Sequence, residues 1–340
     1  MASNAPSPEQ ASPALVFDTL FAYQKTAALR AAIDVDLFRA IGEGPCDVAS
    51  LAQRCHASER GIRILSDCMV VLGFLAKEDG IYRHTPTSQM FLDPRSPACV
   101  AVTGRFLTMP EMREPLDRLA EIVRQGRTVL PGAGSVEPDN PVWVEFAHSM
   151  APMMAPFAAP LGHVVQRWRS GPMRVLDIAA GHGLFGIEIA KQNPEAHIVA
   201  LDWARVLEVA TENARRAGVA ERFETLPGSA FDVEYGGPYD AILLTNFLHH
   251  FDMATCVGLL KKVRAALKPG GVTATLEFMP NEDRVSPPMA ATFALTMLAT
   301  TVAGDAYTFS ELERMHREAG FTAVEAAVPM EPHSVIIGRT

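Results

Sequence analysis

Apolar and polar positions along this chain follow two regimes. Over residues 16–92 apolar residues recur mostly at helical spacing; from Val175 onward, short unbroken apolar runs alternate with helical stretches. In the first regime, residues 16–41 carry Phe17, Leu20, Ala28, Ala31 and Leu37-Phe38 on one side, which predicts a helix stopped by Gly42 and Gly44. A short helix is predicted over 47–55. Ser58 is a good N-cap for another over 59–72, closed by Gly73. Residues 74–85 predict two short strands around Asp79-Gly80. Helix, helix, hairpin is the order of a winged helix–turn–helix. Residues 100–169 read as helical, with a loop at 132–140.

The second regime starts with Val175-Leu-Asp-Ile-Ala-Ala-Gly-His-Gly183, an apolar strand that ends in an acid and a tight small-residue turn. A helix-like stretch follows at 184–191. Next come the strand His197-Ile-Val-Ala-Leu-Asp202 and the strand Tyr239-Asp-Ala-Ile-Leu-Leu-Thr-Asn246. A helix over 253–267 is closed by Lys268-Pro-Gly-Gly271, and a further strand runs over 272–278. Strand–helix alternation predicts an α/β fold with a parallel sheet and right-handed crossovers.

The glycine turn admits two ligands. Gly181-His-Gly183-Leu-Phe-Gly186 satisfies the dinucleotide pattern, which sets a pyrophosphate on a helix N-terminus. S-adenosylmethionine has no phosphate, and its sulfonium and ammonium favour an acid beside the turn. Asp177 stands at the strand end, before the glycines. Asp202 follows 25 residues later (202 − 177), one strand–helix–strand step. There it can accept from the ribose hydroxyls of either ligand, or cap the helix that starts near Arg205. Trp203 can pack on an adenine face.

Together the turn at 177–183, Asp202, Pro227-Gly-Ser-Ala-Phe231, Asn246-Phe-Leu-His-His250 and Lys268-Pro-Gly-Gly271 resemble a class I methyltransferase domain, a Rossmann-like α/β fold. With the helical N-terminal part, the chain from about Leu15 onward resembles the small-molecule O-methyltransferases that carry a winged-helix dimerisation domain. The resemblance implies S-adenosylmethionine as methyl donor, S-adenosylhomocysteine as product, and a homodimer acting on a small-molecule acceptor. It divides the chain into a tail (1–14), a winged-helix dimerisation domain (15–99), linking helices that contribute to the substrate pocket (100–169) and a donor-binding methyltransferase domain (170–340). The donor-binding positions it marks are Asp177, Ala179, Gly181, Gly183, Asp202, Trp203, Ser229, Ala230, Phe231 and Asn246. His182 is expected to meet the donor through its backbone only.

Methyl transfer from a sulfonium is an in-line displacement, so the protein has to position the nucleophile and remove its proton. His249 lies just beyond a strand at the carboxyl edge of the sheet, where ligands bind in open α/β folds. The resemblance makes it the general base; alternatively it caps the following helix. Glu277 ends the next strand and is either the acid that orients His249 or a solvent-facing strand end. The family pattern is departed from at four places. His250 replaces an aspartate, and Ser229 stands where aspartate is common. Ala306, beside Asp305, stands at a second supporting acid. Ala179-Ala180 replaces glycines and is expected to tolerate a tight approach but not positive φ. Met150 and Met154 on one predicted helix, and Phe293 and Met297 on another, are candidate acceptor contacts or ordinary core. His249, Glu277 and Asp252 would make only a partial ligand set for a metal, and none is expected.

Composition narrows the alternatives. The chain has 340 residues, 48% of them hydrophobic, enough for two domains with cores. Its net charge is −9, and residues 46–92 balance Arg54, Arg60, Arg63, Lys77 and Arg83 against Asp47, Glu59, Asp67, Glu78 and Asp79. A DNA reader needs surplus cations, so the winged helix reads as a dimerisation module, with no nucleic-acid or membrane partner. Five cysteines without a CxxC pair suit a reducing cytoplasm. The rival functions are C-methylation of an enolisable or aromatic carbon, NAD-dependent oxidoreduction, and ligand sensing by a DNA-binding regulator.

Overall fold

The computed structural model describes residues 12–340, so most of the tail expected over 1–14 lies outside the described residues. The chain forms two compact units, Met1–Gly104 and Arg105–Thr340.

The first unit contains α1 (Ala14–Leu20), α2 (Ala22–Asp34), α3 (Leu37–Gly42), α4 (Val48–Arg54), α5 (Glu59–Val71), the strands β1 (Leu75–Glu78) and β2 (Ile81–His84), and α6 (Pro86–Phe91). The single helix predicted over 16–41 is broken at Phe21 and again at Val35-Asp36. Asp36 adopts φ 56°, a left-handed conformation that a helix cannot continue through. Asp47 and Ser58 cap α4 and α5 by accepting from the N–H groups of Ser50 and Gly61. The β1–β2 hairpin turns through Asp79 and Gly80, both at positive φ. Leu37, Phe38, Leu51, Ile62, Met69 and Tyr82 are buried as its core.

Helix α7 (Thr103–Leu107) spans the junction. It is followed by α8 (Pro110–Asp117), α9 (Leu119–Gln125), α10 (Val142–Ser149) and α11 (Ala151–Trp168). The sheet region then runs β3 (Met173–Ile178), α12 (Leu184–Gln192), β4 (Ala196–Asp202), α13 (Ala204–Arg216), β5 (Phe223–Pro227), β6 (Tyr239–Thr245), α14 (Met253–Ala266), β7 (Leu267–Phe278), α15 (Pro288–Thr300), α16 (Phe309–Glu318), β8 (Ala323–Met330) and β9 (His333–Arg339). Strand order is β5-β4-β3-β6-β7-β9-β8. Strand β3 pairs in parallel with both β4 and β6, so the chain order reverses beside it. That reversal opens a crevice at the carboxyl ends of these strands.

The sheet is not all parallel, as the alternation of elements had suggested. Strand β9 runs antiparallel to β7 and to β8, because a tight hairpin, not a crossover helix, joins the last two strands. Lys268-Pro-Gly-Gly271, expected beyond a helix, lies in the first residues of β7, where the pairing with β6 shifts register. Along β3, Val175 packs with Leu161 and Ile189 on one face; Leu176 packs with Leu260 and Leu312 on the other. Burial on both faces explains why these strands are unbroken apolar runs.

Candidate active site

The turn after β3 is built from backbone under constraint. Ala179, Gly181 and Gly183 adopt φ of 54°, 55° and 73°. Ala179 thus takes the left-handed conformation that was not expected of it; the strand and turn around it enforce a geometry with a modest steric cost. A Cβ on Gly183 would stand 3.0 Å from the Ala210 Cβ and 3.2 Å from the Phe223 ring, so this glycine serves close packing under the turn. Asp202, at the end of β4, accepts from the Gly181 N–H at 2.8 Å and the Trp203 N–H at 2.7 Å. Burial pushes its carboxyl up to about 6, against the pull of those two N–H groups.

Asp177 does not face the cavity. It is fully buried beneath the turn, where its Oδ2 accepts from the Gly186 N–H at 3.1 Å and its Oδ1 has no partner among the described residues. Burial pushes it up to about 7. The expected contact of Asp177 with a cationic ligand is therefore corrected: its strand position turns the side chain inward, under the start of α12. Neither Asp177 nor Gly183 is among the cavity-lining residues; Ala179, Gly181 and Asp202 are.

Beyond β6, Asn246 adopts φ 54° and turns the chain toward Leu248-His249-His250. The His249 Nδ1 lies 2.5 Å from Glu277 Oε2. Glu277 Oε1 accepts from the N–H groups of Phe247 (3.0 Å) and Leu248 (2.8 Å). Glu277 is therefore buried against His249, not exposed at a strand end. The His249 carbonyl accepts from the Asp305 N–H at 2.9 Å. A Cβ on Gly304 would stand 2.3 Å from that carbonyl, so only glycine fits there. The Asp305 carboxylate turns away to Arg284, at 3.5 Å, and gives His249 no second acid. Asp252 caps α14 by accepting from the Thr255 N–H. Among the described residues no group of three or more His, Cys, Asp or Glu side chains is placed to hold a metal ion.

Both clusters open onto one cavity of about 970 Å³ within the second unit. Trp203, Ser229, Ala230, Phe231 and Asn246 line it, as do His249, Met150, Met154, Phe293 and Met297. The Ser229 hydroxyl is engaged locally by the Phe231 N–H at 3.1 Å. The Asn246 carboxamide joins His333 Nε2 (2.9 Å) to Met154 Sδ (3.3 Å).

His333, Lys262 and Phe278 were not marked in the sequence. His333 comes from the antiparallel strand β9. Lys262 of α14 donates to the carbonyls of Ala230, Phe231 and Val233, clamping the 230–233 loop. Phe278 stacks on Phe293 (4.0 Å, 18°), which meets the His249 ring edge-on (4.8 Å, 80°). Trp143 packs edge-on against His250 (5.1 Å). Only the pairing of sheet and helices brings these side chains together; no local spacing signals His333, Lys262 or Phe278, whereas Trp143 lies on a helix that the sequence already places beside the acceptor pocket. Burial, with the neighbouring His249, holds His250 well below the ordinary histidine range.

Two family descriptions match the chain: the O-methyltransferase domain over residues 163–322, and the O-methyltransferase dimerisation domain over 17–94. A solved structure assigned as an O-methyltransferase from Nostoc punctiforme PCC 73102 is 47% identical, covers 97% of this chain and 100% of its own, and superposes with a TM-score of 0.94. The chain belongs to the O-methyltransferase family. This methyltransferase is also 29% identical, over 93% of its length and 92% of the relative's, to 3-hydroxy-5-methyl-1-naphthoate 3-O-methyltransferase of Streptomyces sahachiroi. Human N-acetylserotonin methyltransferase, solved in complex with S-adenosylmethionine, shares the fold at 22% identity, with a TM-score of 0.83 over 100% of this chain and 99% of its own.

The methyltransferase uses S-adenosylmethionine, and its O-methyltransferase assignment displaces the oxidoreductase and DNA-binding alternatives. The cavity is consistent with such a donor. No lysine or arginine among the described residues lines it, and a pyrophosphate would leave four oxygens without a cationic partner there. A carboxylate at the end of β4, the aromatic rings of Trp203 and Phe231, and an unpartnered imidazole nitrogen on His182 suit a phosphate-free nucleoside with an amino-acid tail. No helix of the described residues is long and apolar enough to cross a membrane.

Proposed function

We propose that the enzyme methylates a hydroxyl of an apolar or aromatic small molecule, with His249 as general base. The observation that carries this reading is the His249–Glu277 pair in the wall of a cavity that Met150, Met154, Phe293 and Met297 also line. Bound S-adenosylmethionine supplies a methyl group on a positively charged sulfur, open to in-line attack.

Glu277, held by two backbone N–H groups, receives the His249 Nδ1–H and leaves the Nε2 lone pair free for the acceptor's proton. As Nε2 takes that proton, the carboxylate stabilises the imidazolium. A phenol near pKa ~10 is a weaker acid than imidazolium near ~6.5, so proton removal accompanies attack and does not precede it. Asp202 accepts from the donor's ribose hydroxyls with lone pairs not used by Gly181 and Trp203. Trp203, Ala230 and Phe231 enclose the adenine, the backbone of Ala179 and Gly181 lies along the donor, and Ser229 and Asn246 complete its surround. Asp177 and Gly183 support the turn from beneath. Met150, Met154, Phe293 and Met297 form the acceptor wall, where methionine's flexible side chain adapts to shape.

The first unit pairs with a second copy of the chain. Helix α1 leaves Leu15, Val16, Phe17 and Leu20 exposed on a seven-residue element, an apolar surface that association would cover.

A panel of phenols incubated with methyl-labelled donor tests the reaction. An aryl O-methyl resonance in the product NMR spectrum is expected; a carbon-bound methyl would overturn the assignment to oxygen. Light scattering of a Val16→Glu/Leu20→Glu variant tests the association: the full chain is expected to run as a dimer and the variant as a monomer.

A further inference from the structure

His182, inside the turn after β3, has a role beyond its backbone. The Leu184 N–H donates to its Nδ1 at 3.2 Å, so that nitrogen presents a lone pair. The ring's proton is then on Nε2. Burial pushes this histidine down to about 4, which keeps it neutral at working pH. Its position is fixed from three sides. The ring stacks on Phe146 (6.0 Å, 16°) and leans on Phe185 (5.9 Å, 46°), and its carbonyl accepts from Asn213 Nδ2 at 2.9 Å. The residue is 2% exposed and lines the cavity, yet Nε2 has no partner among the described residues. An immobilised, buried N–H without an acceptor is an expensive thing to keep unless a ligand completes it.

The sheet order identifies that ligand's atom. Strand β3 lies between β4, which ends in Asp202, and β6, which leads to His249. A donor with its ribose at Asp202 and its methyl directed at His249 passes the turn between them. At its amino-acid end it carries an ammonium and an α-carboxylate. The ammonium cannot accept a hydrogen bond and the sulfonium is cationic, so the carboxylate is the acceptor. It has no salt-bridge partner to turn to, because the cavity walls contain no lysine or arginine among the described residues. We propose that the His182 Nε2–H donates to the α-carboxylate of the methyl donor. This rests on the donor-binding reading given above.

Calorimetry on the full-length enzyme separates the two ideas. The ligands are S-adenosylhomocysteine and its decarboxylated analogue, which retains the ammonium and lacks only the carboxylate. His182→Phe keeps a ring for the Phe146 stack and removes the N–H. It is expected to weaken S-adenosylhomocysteine about tenfold, the effect of one hydrogen bond to a charged group, and to leave the analogue within about twofold of wild type. His182→Gln, which keeps a donor, should recover part of the loss. Equal weakening of both ligands, or no weakening of either, would overturn the contact while leaving the donor site standing. Failure of wild-type protein to bind either ligand would overturn the donor site itself.

Discussion

On the proposed reading, the donor end of the cavity is shaped by constrained main chain as well as by Trp203 and Phe231: a turn with Ala179 and Gly181 at positive φ, a carboxylate tied to two N–H groups, and a loop clamped through three carbonyls by Lys262. The proposed acceptor end is side chain: Met150 and Met154 from the α10–α11 segment, and Phe293 and Met297 from α15. The difference follows from what each end has to recognise. One nucleoside is the same in every turnover, so fixed backbone dipoles serve. An apolar acceptor offers few polar handles, and there shape and desolvation do the selecting. His249 stands between the two.

Substitutions at each place break the comparison differently. His249→Ala should lower kcat by about 10²–10⁴-fold while calorimetric affinity for S-adenosylhomocysteine stays unchanged; near-full turnover would move the base elsewhere. Asp202→Ala should weaken S-adenosylhomocysteine by about 1–3 kcal/mol in the same assay, with acceptor KM little altered. An unchanged donor affinity would remove Asp202 from the ribose. Met297→Ala should reduce acceptor kcat/KM by about tenfold and leave donor affinity within about twofold, since it enlarges only the apolar wall. If donor affinity falls as steeply, the two ends are not separable.

A further effect concerns pH and runs in opposite directions at two buried groups. Asp177 is raised to about 7 in the fold from an ordinary value of ~3.9, so its contribution to stability is present at low pH and lost as pH rises through that interval. His333, beside Asn246, is lowered by burial to about 3 from ~6.5. Its contribution is full above ~6.5 and lost as pH falls. In thermal unfolding of the donor-free enzyme, Asp177→Asn should gain on wild type as pH increases from 4 to 8. His333→Gln should gain on wild type as pH decreases from 7 to 4.5. Parallel profiles for all three proteins would contradict both assignments.

The same contrast decides what could be read from the sequence. The strand–turn–helix at 175–191 and the strand ending at Asp202 are local patterns, and the fold follows them closely. The placement of His249 and Glu277 at neighbouring strand ends also follows from strand–helix alternation. Reach across the sheet does not. His333 arrives on an antiparallel strand that the alternation of elements had not suggested, and β5, an edge strand with exposed positions, lacks the unbroken apolar signature. Asp177 lies under the turn and not in the cavity: a strand-end acid can turn either way, and only the packing of Gly186 against it decides. Ala179 shows the converse: tertiary context imposed a backbone conformation that residue preference argues against.

One consequence concerns how such an enzyme can change its acceptor. Glu277 is bound to the N–H groups of the two residues that immediately precede His249, so the two side chains form a single piece of covalent and hydrogen-bonded scaffolding. Helix α15 meets that piece through Phe293, whose ring packs edge-on against His249, so changes on α15 that spare Phe293 leave this contact intact. On the proposed reading, libraries at α15 positions other than Phe293 should yield altered selectivity more often than dead protein.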